Sequence, residues 1–201
     1  PYSEKTHKGA RTTVPGGPKG GVVQVTFPSM TVDDIRSRLE ALAPMVKTWC
    51  VMTCDWRHAT ELERSPPIGW EFVRSGVWVK PDGTPQMTGD RPGTGWEAIA
   101  IMHPPGKKQW NGVSKPAVWS HGTSRYGNFG PSKHPTEKPL GLIQKLIADF
   151  TKEGETIVDP FAGSGTTGHA AKLEGRKATL IEINEEYCEK AADRLRQGVL
   201  F

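Results

Sequence analysis

The residues in this sequence whose types and spacing most plainly do chemistry are three glycines and one carboxylate. Gly163, Gly165 and Gly168 stand at G-x-G-x-x-G spacing within Asp159-Pro-Phe-Ala-Gly-Ser-Gly-Thr-Thr-Gly168. Glycines let a chain turn sharply and bring its backbone close to a ligand. A β-type run over 155–159 leads into them, and a helix-type stretch over 166–174, closed by Gly175, leads out. Strand, glycine turn and helix form the context in which such a loop holds a nucleotide-like ligand. A second β-type run, 177–182, ends on Glu182, about 20 residues past the first glycine, where an acid meets ribose hydroxyls. The pattern implies an adenosine-containing cofactor and does not separate a dinucleotide from S-adenosylmethionine. The plainer alternative is a glycine turn that binds nothing. The coincidence of strand, spacing and acid speaks against it.

A second cluster is basic and aromatic. Over 103–133, Lys107, Lys108, Lys115, Arg125 and Lys133 are interleaved with Trp110, Trp119 and Tyr126, without helical or strand period. Cations meet phosphates, and flat rings or amides such as that of Asn111 meet bases, so the segment suits nucleic acid. An ordinary loop packed by its own tryptophans fits the composition equally. Cys50, Cys54 and His58 are spaced by four, but a metal site needs a fourth ligand and the two cysteines fall in a β-type run, so no metal is expected.

The elements that must position these residues follow from pattern. Thr31 with Asp34 reads as a capping box, and Ile35, Leu39 and Leu42 recur at helical spacing, giving a helix over 31–43. The near-continuous apolar run 48–54 suits a strand covered on both faces. Strands are expected over 70–80 and 96–102, joined by a Gly- and Pro-rich loop. After Pro139 a helix carries Leu142, Ile143, Leu146, Ile147 and Phe150 on one stripe. Asn184 caps a last helix with Tyr187, Ala191 and Leu195 facing inward. The 3–21 stretch reads as a loop whose Lys5, Lys8, Arg11 and Lys19 are a solvated surface more readily than a phosphate-facing arm. The chain has 201 residues, enough for one proper core, and a formal net charge of +4, which permits a polyanionic partner without demanding one. Three cysteines, an odd number, suit a reducing compartment. No apolar run reaches the ~18 residues of a membrane helix, and no signal peptide is visible.

His134-Pro-Thr-Glu-Lys-Pro139, a helix, and then Asp159-Pro-Phe-Ala-Gly-Ser-Gly-Thr-Thr167 together resemble the amino-group DNA methyltransferases, which make N6-methyladenine or N4-methylcytosine. Val77-Trp-Val-Lys-Pro81 and Trp96-Glu-Ala-Ile-Ala100 also look like that family's middle strands. The resemblance covers essentially the whole chain and argues against the dinucleotide reading. It implies a Rossmann-like, doubly wound, mostly parallel α/β sheet with an irregular target-recognition insert. On that plan residues 1–103 are the catalytic half, 104–133 the target-recognition segment and 134–201 the cofactor half.

The resemblance also assigns roles. The family's catalytic motif is Asp/Asn/Ser-Pro-Pro-Tyr, and Pro1-Tyr2 reads as its last two residues, so the catalytic end precedes the cofactor loop, as in the permuted β class. The motif's polar residue and first proline are expected upstream of Pro1, on a strand that pairs with 156–159. Without that strand the fragment is expected to be insoluble or to form a homodimer over the open edge, and a catalytically incomplete cofactor- or DNA-binding fragment is the alternative reading. Tyr2 would stack on a base flipped from double-stranded DNA. Glu182 would take the ribose hydroxyls of S-adenosylmethionine. Asp159, Phe161, Ala162, Gly163, Ser164, Gly165 and Thr166 would line the cofactor, with Thr136 and Lys138 by its carboxylate. Lys107, Lys108, Trp110, Asn111 and Arg125 would meet DNA. No metal and no membrane are implied, and the cytoplasm is the expected location.

Overall fold

The computed structural model describes residues 12–13, 22–23, 29–83, 89–123 and 137–196. Pro1, Tyr2, Arg125 and Thr136 lie outside them. Strands β1 (Thr12–Thr13) and β2 (Val22–Val23) pair as a short ribbon. The rest divides into two compact units, one mainly of residues 22–109 and 113–122, the other mainly of 110–112 and 123–201.

In the first unit, helix α1 (Val32–Leu42) starts at Thr31 with the expected capping box. The Thr31 hydroxyl accepts from the Asp34 N–H at 3.1 Å, and the Asp34 carboxylate accepts from the Thr31 N–H at 2.9 Å. Those bonds to Thr31, its hydroxyl first, hold the Asp34 carboxyl below its ordinary pKa. Ile35 and Leu39 are buried, as their spacing requires. Strand β3 (Cys50–Cys54) follows, then helix α2 (Trp56–Arg64), capped by Asp55, whose carboxylate accepts from the Arg57 N–H. Strands β4 (Glu71–Val79), β5 (Trp96–His103) and β6 (Val118–Ser120) complete a sheet of order β3-β5-β4-β6. Three strands run one way, and β5 alone is reversed between β3 and β4.

The core of this unit gathers on β5. Ala98, Ile99, Ala100, Ile101 and Met102 are all buried, and Ala98, Ala100 and Met102 cluster with Leu62 of α2, Leu39 of α1 and Trp70. Gly76 has a steric reason: a Cβ there would stand 2.8 Å from the Trp119 ring of β6. Three expectations change here. Strand β3 is only half-buried over most of its length, because it is an edge strand among the described residues. Helix α2 has no counterpart in the sequence reading, and it places His58 on a buried helical face, while the two cysteines belong to strand β3. The insert is not irregular throughout, since β6 extends the sheet.

In the second unit, helix α3 (Leu140–Phe150) buries Leu142, Leu146, Ile147 and Phe150. Strands β7 (Thr156–Asp159) and β8 (Lys177–Leu180) pair in parallel through helix α4 (Thr166–Leu173), and helix α5 (Glu185–Arg196) follows. Ile147 packs on Ala170 and Ala171 of α4, with Ile157 of β7 against them. No helix among the described residues is long and apolar enough to cross a membrane.

Candidate functional site

The glycine loop leaves the carboxyl end of β7, where open α/β sheets bind ligands. Its shape is set by local hydrogen bonds. The Asp159 carboxylate accepts from the Phe161 N–H at 3.0 Å, Ala162 N–H donates to the Ile181 carbonyl at 3.0 Å, and Gly165 N–H donates to the Ala162 carbonyl at 2.9 Å. Gly163 and Gly165 take φ of 51° and 80°, in the left-handed region that disfavours other residues. Gly165 is the N-cap of α4 and no side chain caps that helix end. Backbone donors at an uncapped N-terminus favour an electron-rich ligand.

Glu182 lies just beyond β8 and holds two segments. One carboxylate oxygen accepts from the Gly163 N–H at 2.8 Å, and the other accepts from the Asn184 N–H at 2.9 Å. Each oxygen keeps a further lone pair for an incoming hydroxyl. Two apolar side chains of the adjoining segments are left in the open: Phe161 is 49% exposed and Ile183 fully so. A fixed carboxylate with exposed apolar residues near it in the chain offers both kinds of contact that a sugar carrying a flat ring needs.

The last two glycines serve packing. A Cβ on Gly165 would stand 2.8 Å from the Ala191 Cβ of α5, and one on Gly168 would stand 2.6 Å from Leu180 of β8. The side chains of Ser164 and Thr166 are buried, and both hydroxyls accept from Arg194 of α5. Arg194 also pairs with Glu137 at 2.7 Å, the residue before Lys138. Lys138 is half-buried beside Pro139, the N-cap of α3. His169, one turn into α4, is held below its ordinary pKa by burial and then by the charges of Arg194 and Lys172.

The basic and aromatic candidates are found in different settings. Lys107 is exposed. Lys108 pairs with Glu71 and also donates to the Gly106 carbonyl. Trp110 lies against Phe150, its ring centre 6.2 Å away. Asn111 closes the end of α3: its side-chain amide donates to the carbonyls of Ala148 and Thr151, and its N–H to that of Asp149. That geometry gives Trp110 and Asn111 a structural task. Ile183 and Arg194 escaped the sequence reading. Ile183 sits directly after the acid. Arg194 stands seven residues past Tyr187 and three past Ala191, a charge on an inward stripe, which was the available signal.

A family model described as DNA methylase, of the N6/N4 methyltransferase type, matches residues 62–193. The chain is 32% identical over 158 residues to the type II methyltransferase M.XycI of Xanthomonas campestris pv. cyanopsidis, covering 73% of this chain and 50% of that protein. It is 39% identical over 95 residues to M2.LlaDCHI of Lactococcus lactis subsp. cremoris, covering 47% of this chain and 35% of that one. The chain thus spans about a third to a half of the length of these relatives. Among solved structures, the M1.HpyAVI–SAM complex superimposes with a TM-score of 0.70 at 27% identity, over 85% of this chain and 86% of that one. The cytosine-N4-specific PvuII DNA methyltransferase gives 0.66 at 16% identity, over 89% and 77%, a likeness of fold alone.

Proposed function

Because the chain belongs to the N6/N4 DNA methylase family, we propose that its loop and Glu182 bind S-adenosylmethionine and that the protein methylates the exocyclic amine of adenine or cytosine in double-stranded DNA. The observation that carries this reading is Glu182, fixed by two backbone N–H groups beside the exposed Phe161 and Ile183. When bound, S-adenosylmethionine supplies a methyl on a sulfonium, already an excellent leaving group. The chain's own residues then have to bind and orient. Glu182 would accept the ribose hydroxyls with its remaining lone pairs. Phe161 and Ile183 would cover the adenine. Asp159, with one oxygen committed to the Phe161 N–H, would offer the other to the ammonium group, with Thr136 and Lys138 near the carboxylate.

An exocyclic amine is a poor nucleophile because its lone pair is delocalised into the base. Acceptors that hold its hydrogens and aim the lone pair in line are therefore the main catalytic requirement. Pro1 and Tyr2 are our candidates for the end of that acceptor motif, Tyr2 stacking on the flipped base and offsetting part of the few kcal/mol that unstacking costs. Lys107, Lys108 and Arg125 would meet phosphates. Neutralising Lys107 and Lys108 together should lower the salt slope of DNA binding by about one to two units, nearer one because Glu71 already occupies Lys108. Homodimerisation is checked by sedimentation. The direct test of the whole reading is nucleoside mass spectrometry of DNA incubated with the intact protein and S-adenosylmethionine. N6-methyladenine or N4-methylcytosine is expected, and the absence of both, with cofactor bound, would leave a binding module.

A further inference from the structure

We propose that Arg194 is a positioning residue that holds the cofactor loop in its binding shape; the inference rests on the reading of that loop as the S-adenosylmethionine site. The loop has two anchors. Glu182 is one, through the Gly163 N–H, and it would also touch ligand. Arg194 is the other, and it is anchored on protein. One guanidinium nitrogen donates to the Thr166 hydroxyl at 3.0 Å and reaches the Ser164 hydroxyl at 3.5 Å, while the other donates to Glu137 at 2.7 Å. Every partner is sequestered: the Glu137 side chain is 1% exposed and that of Arg194 14%.

The arrangement answers a local deficiency. Helix α4 begins at a left-handed glycine, so no side chain at its N-cap accepts from the N–H groups of its first turn. Arg194 takes hold of that first turn through Thr166, from α5. One turn earlier on the same helix, Ala191 packs so closely on Gly165 that no Cβ fits between them. Packing and clamp thus come from one helix, α5, the packing acting on the middle of the stretch 164–166 and the clamp on its two ends. The planar fork matters, because two nitrogens must point at different segments at once. A lysine ammonium is a point charge and does not span them.

A loop held in shape before ligand arrives binds with less ordering cost. Removing the fork should therefore weaken cofactor affinity and leave other steps alone. Arg194→Met strands a buried Glu137 carboxylate and risks the fold. The test therefore uses the Arg194→Met/Glu137→Met pair, in which apolar groups replace both charges, together with Thr166→Val alone and in combination. The full-length protein is measured by S-adenosylmethionine calorimetry, melting temperature, steady-state kinetics and amide hydrogen exchange at 163–166. The expected result is a dissociation constant and KM for S-adenosylmethionine raised about tenfold, by loss of one hydrogen bond to a charged group. The KM for DNA and kcat should stay near the parent's, with faster exchange at 163–166 and no rescue by Arg194→Lys. Thr166→Val should add nothing on top of the double replacement, since it acts through the same fork. Unchanged affinity and exchange in a folded double variant would overturn the proposal, as would additive effects of Thr166→Val, which would put Thr166 on the ligand directly. If the double variant does not fold, Thr166→Val alone decides: parental affinity and exchange at 163–166 overturn the clamp. If the parent itself binds no S-adenosylmethionine, the site reading fails, and hydrogen exchange at 163–166 still judges the clamp.

Discussion

Strand β5 buries six consecutive side chains, from Ala98 to His103, whereas β7 and β8 bury none fully: β7 alternates between exposed and half-buried positions, and β8 is exposed until Leu180. The first unit gathers a core around β5 with residues of α1 and α2, and it too leaves apolar side chains such as Ile68 and Val113 at the surface. The second leaves Val158, Phe161, Ile181 and Ile183 at the surface, next to backbone turns that ordinary residues do not adopt. Apolar area removed from water stabilises a fold by roughly 25 cal/mol per Å², so each exposed group here is stability left unrealised. Near these groups in the chain stands Glu182, a carboxylate fixed by the Gly163 and Asn184 N–H groups. The contrast lies in the strands: β5 is wrapped in a core, whereas β7 and β8 lead to a loop with exposed apolar residues and a carboxylate fixed by its backbone.

The comparison breaks most directly at Leu62, which is fully buried on α2. Leu62→Ala should cost about 2–5 kcal/mol of stability, through lost transfer energy and a cavity. Cofactor affinity measured well below the melting temperature should not change. An affinity loss as large as the stability loss would mean that the two tasks are not separable. Glu182→Ala is the reverse experiment. It should weaken S-adenosylmethionine binding by about 1.5–3 kcal/mol, the range for bonds to a charged acceptor, with part of the loss arising from release of the Gly163 N–H. Calorimetry showing parental affinity in a folded variant would remove Glu182 from the site.

Ile183→Ser sharpens the contrast further. A fully exposed side chain contributes little to folding, so the melting temperature should move by the equivalent of at most ~0.5 kcal/mol. Cofactor affinity should fall by about 1 kcal/mol, as burial of its apolar surface under adenine is lost. Equal affinity would place the adenine elsewhere. The smallest effect is chemical. Burial, and then the neighbouring Cys54, push the Cys50 thiol up to about 12, and burial pushes Cys54 up to about 11. Raised thiol pKa values favour the fold below the ordinary value of about 9, and that contribution is lost as pH rises towards 11 to 12. At pH 8 iodoacetamide should therefore label the exposed Cys188 first, the half-buried Cys50 more slowly, and spare the buried Cys54 until the protein unfolds. Early labelling of Cys54 would show that the first unit opens more readily than its burial implies.

Local signals were legible because they are local. The capping box at Thr31, the apolar stripe of α3, the strand into the glycine loop and the acid closing β8 each declare themselves within a few residues. Short or unfamiliar elements were less so. Strand β6 has three residues, too few for a period to register. Helix α2 does carry its signal, Asp55 as cap and His58, Ala59 and Leu62 on one face, but with nine residues it is short and its few apolar positions make a weak period.

The sequence by itself determined that a turn with positive φ stands between a strand and a helix and that a carboxylate follows, since both rest on backbone sterics and spacing. Only the tertiary structure decided what each residue of the turn does. Gly165 and Gly168 make room for α5 and β8, and the hydroxyls of Ser164 and Thr166 serve Arg194. Asn111 closes a helix that begins 29 residues later, at Leu140. Glu137 and Arg194 are separated by 57 residues. No periodicity links such positions, because their pairing depends on how α3, α4 and α5 pack, and a buried charge finds its partner through space and not along the chain.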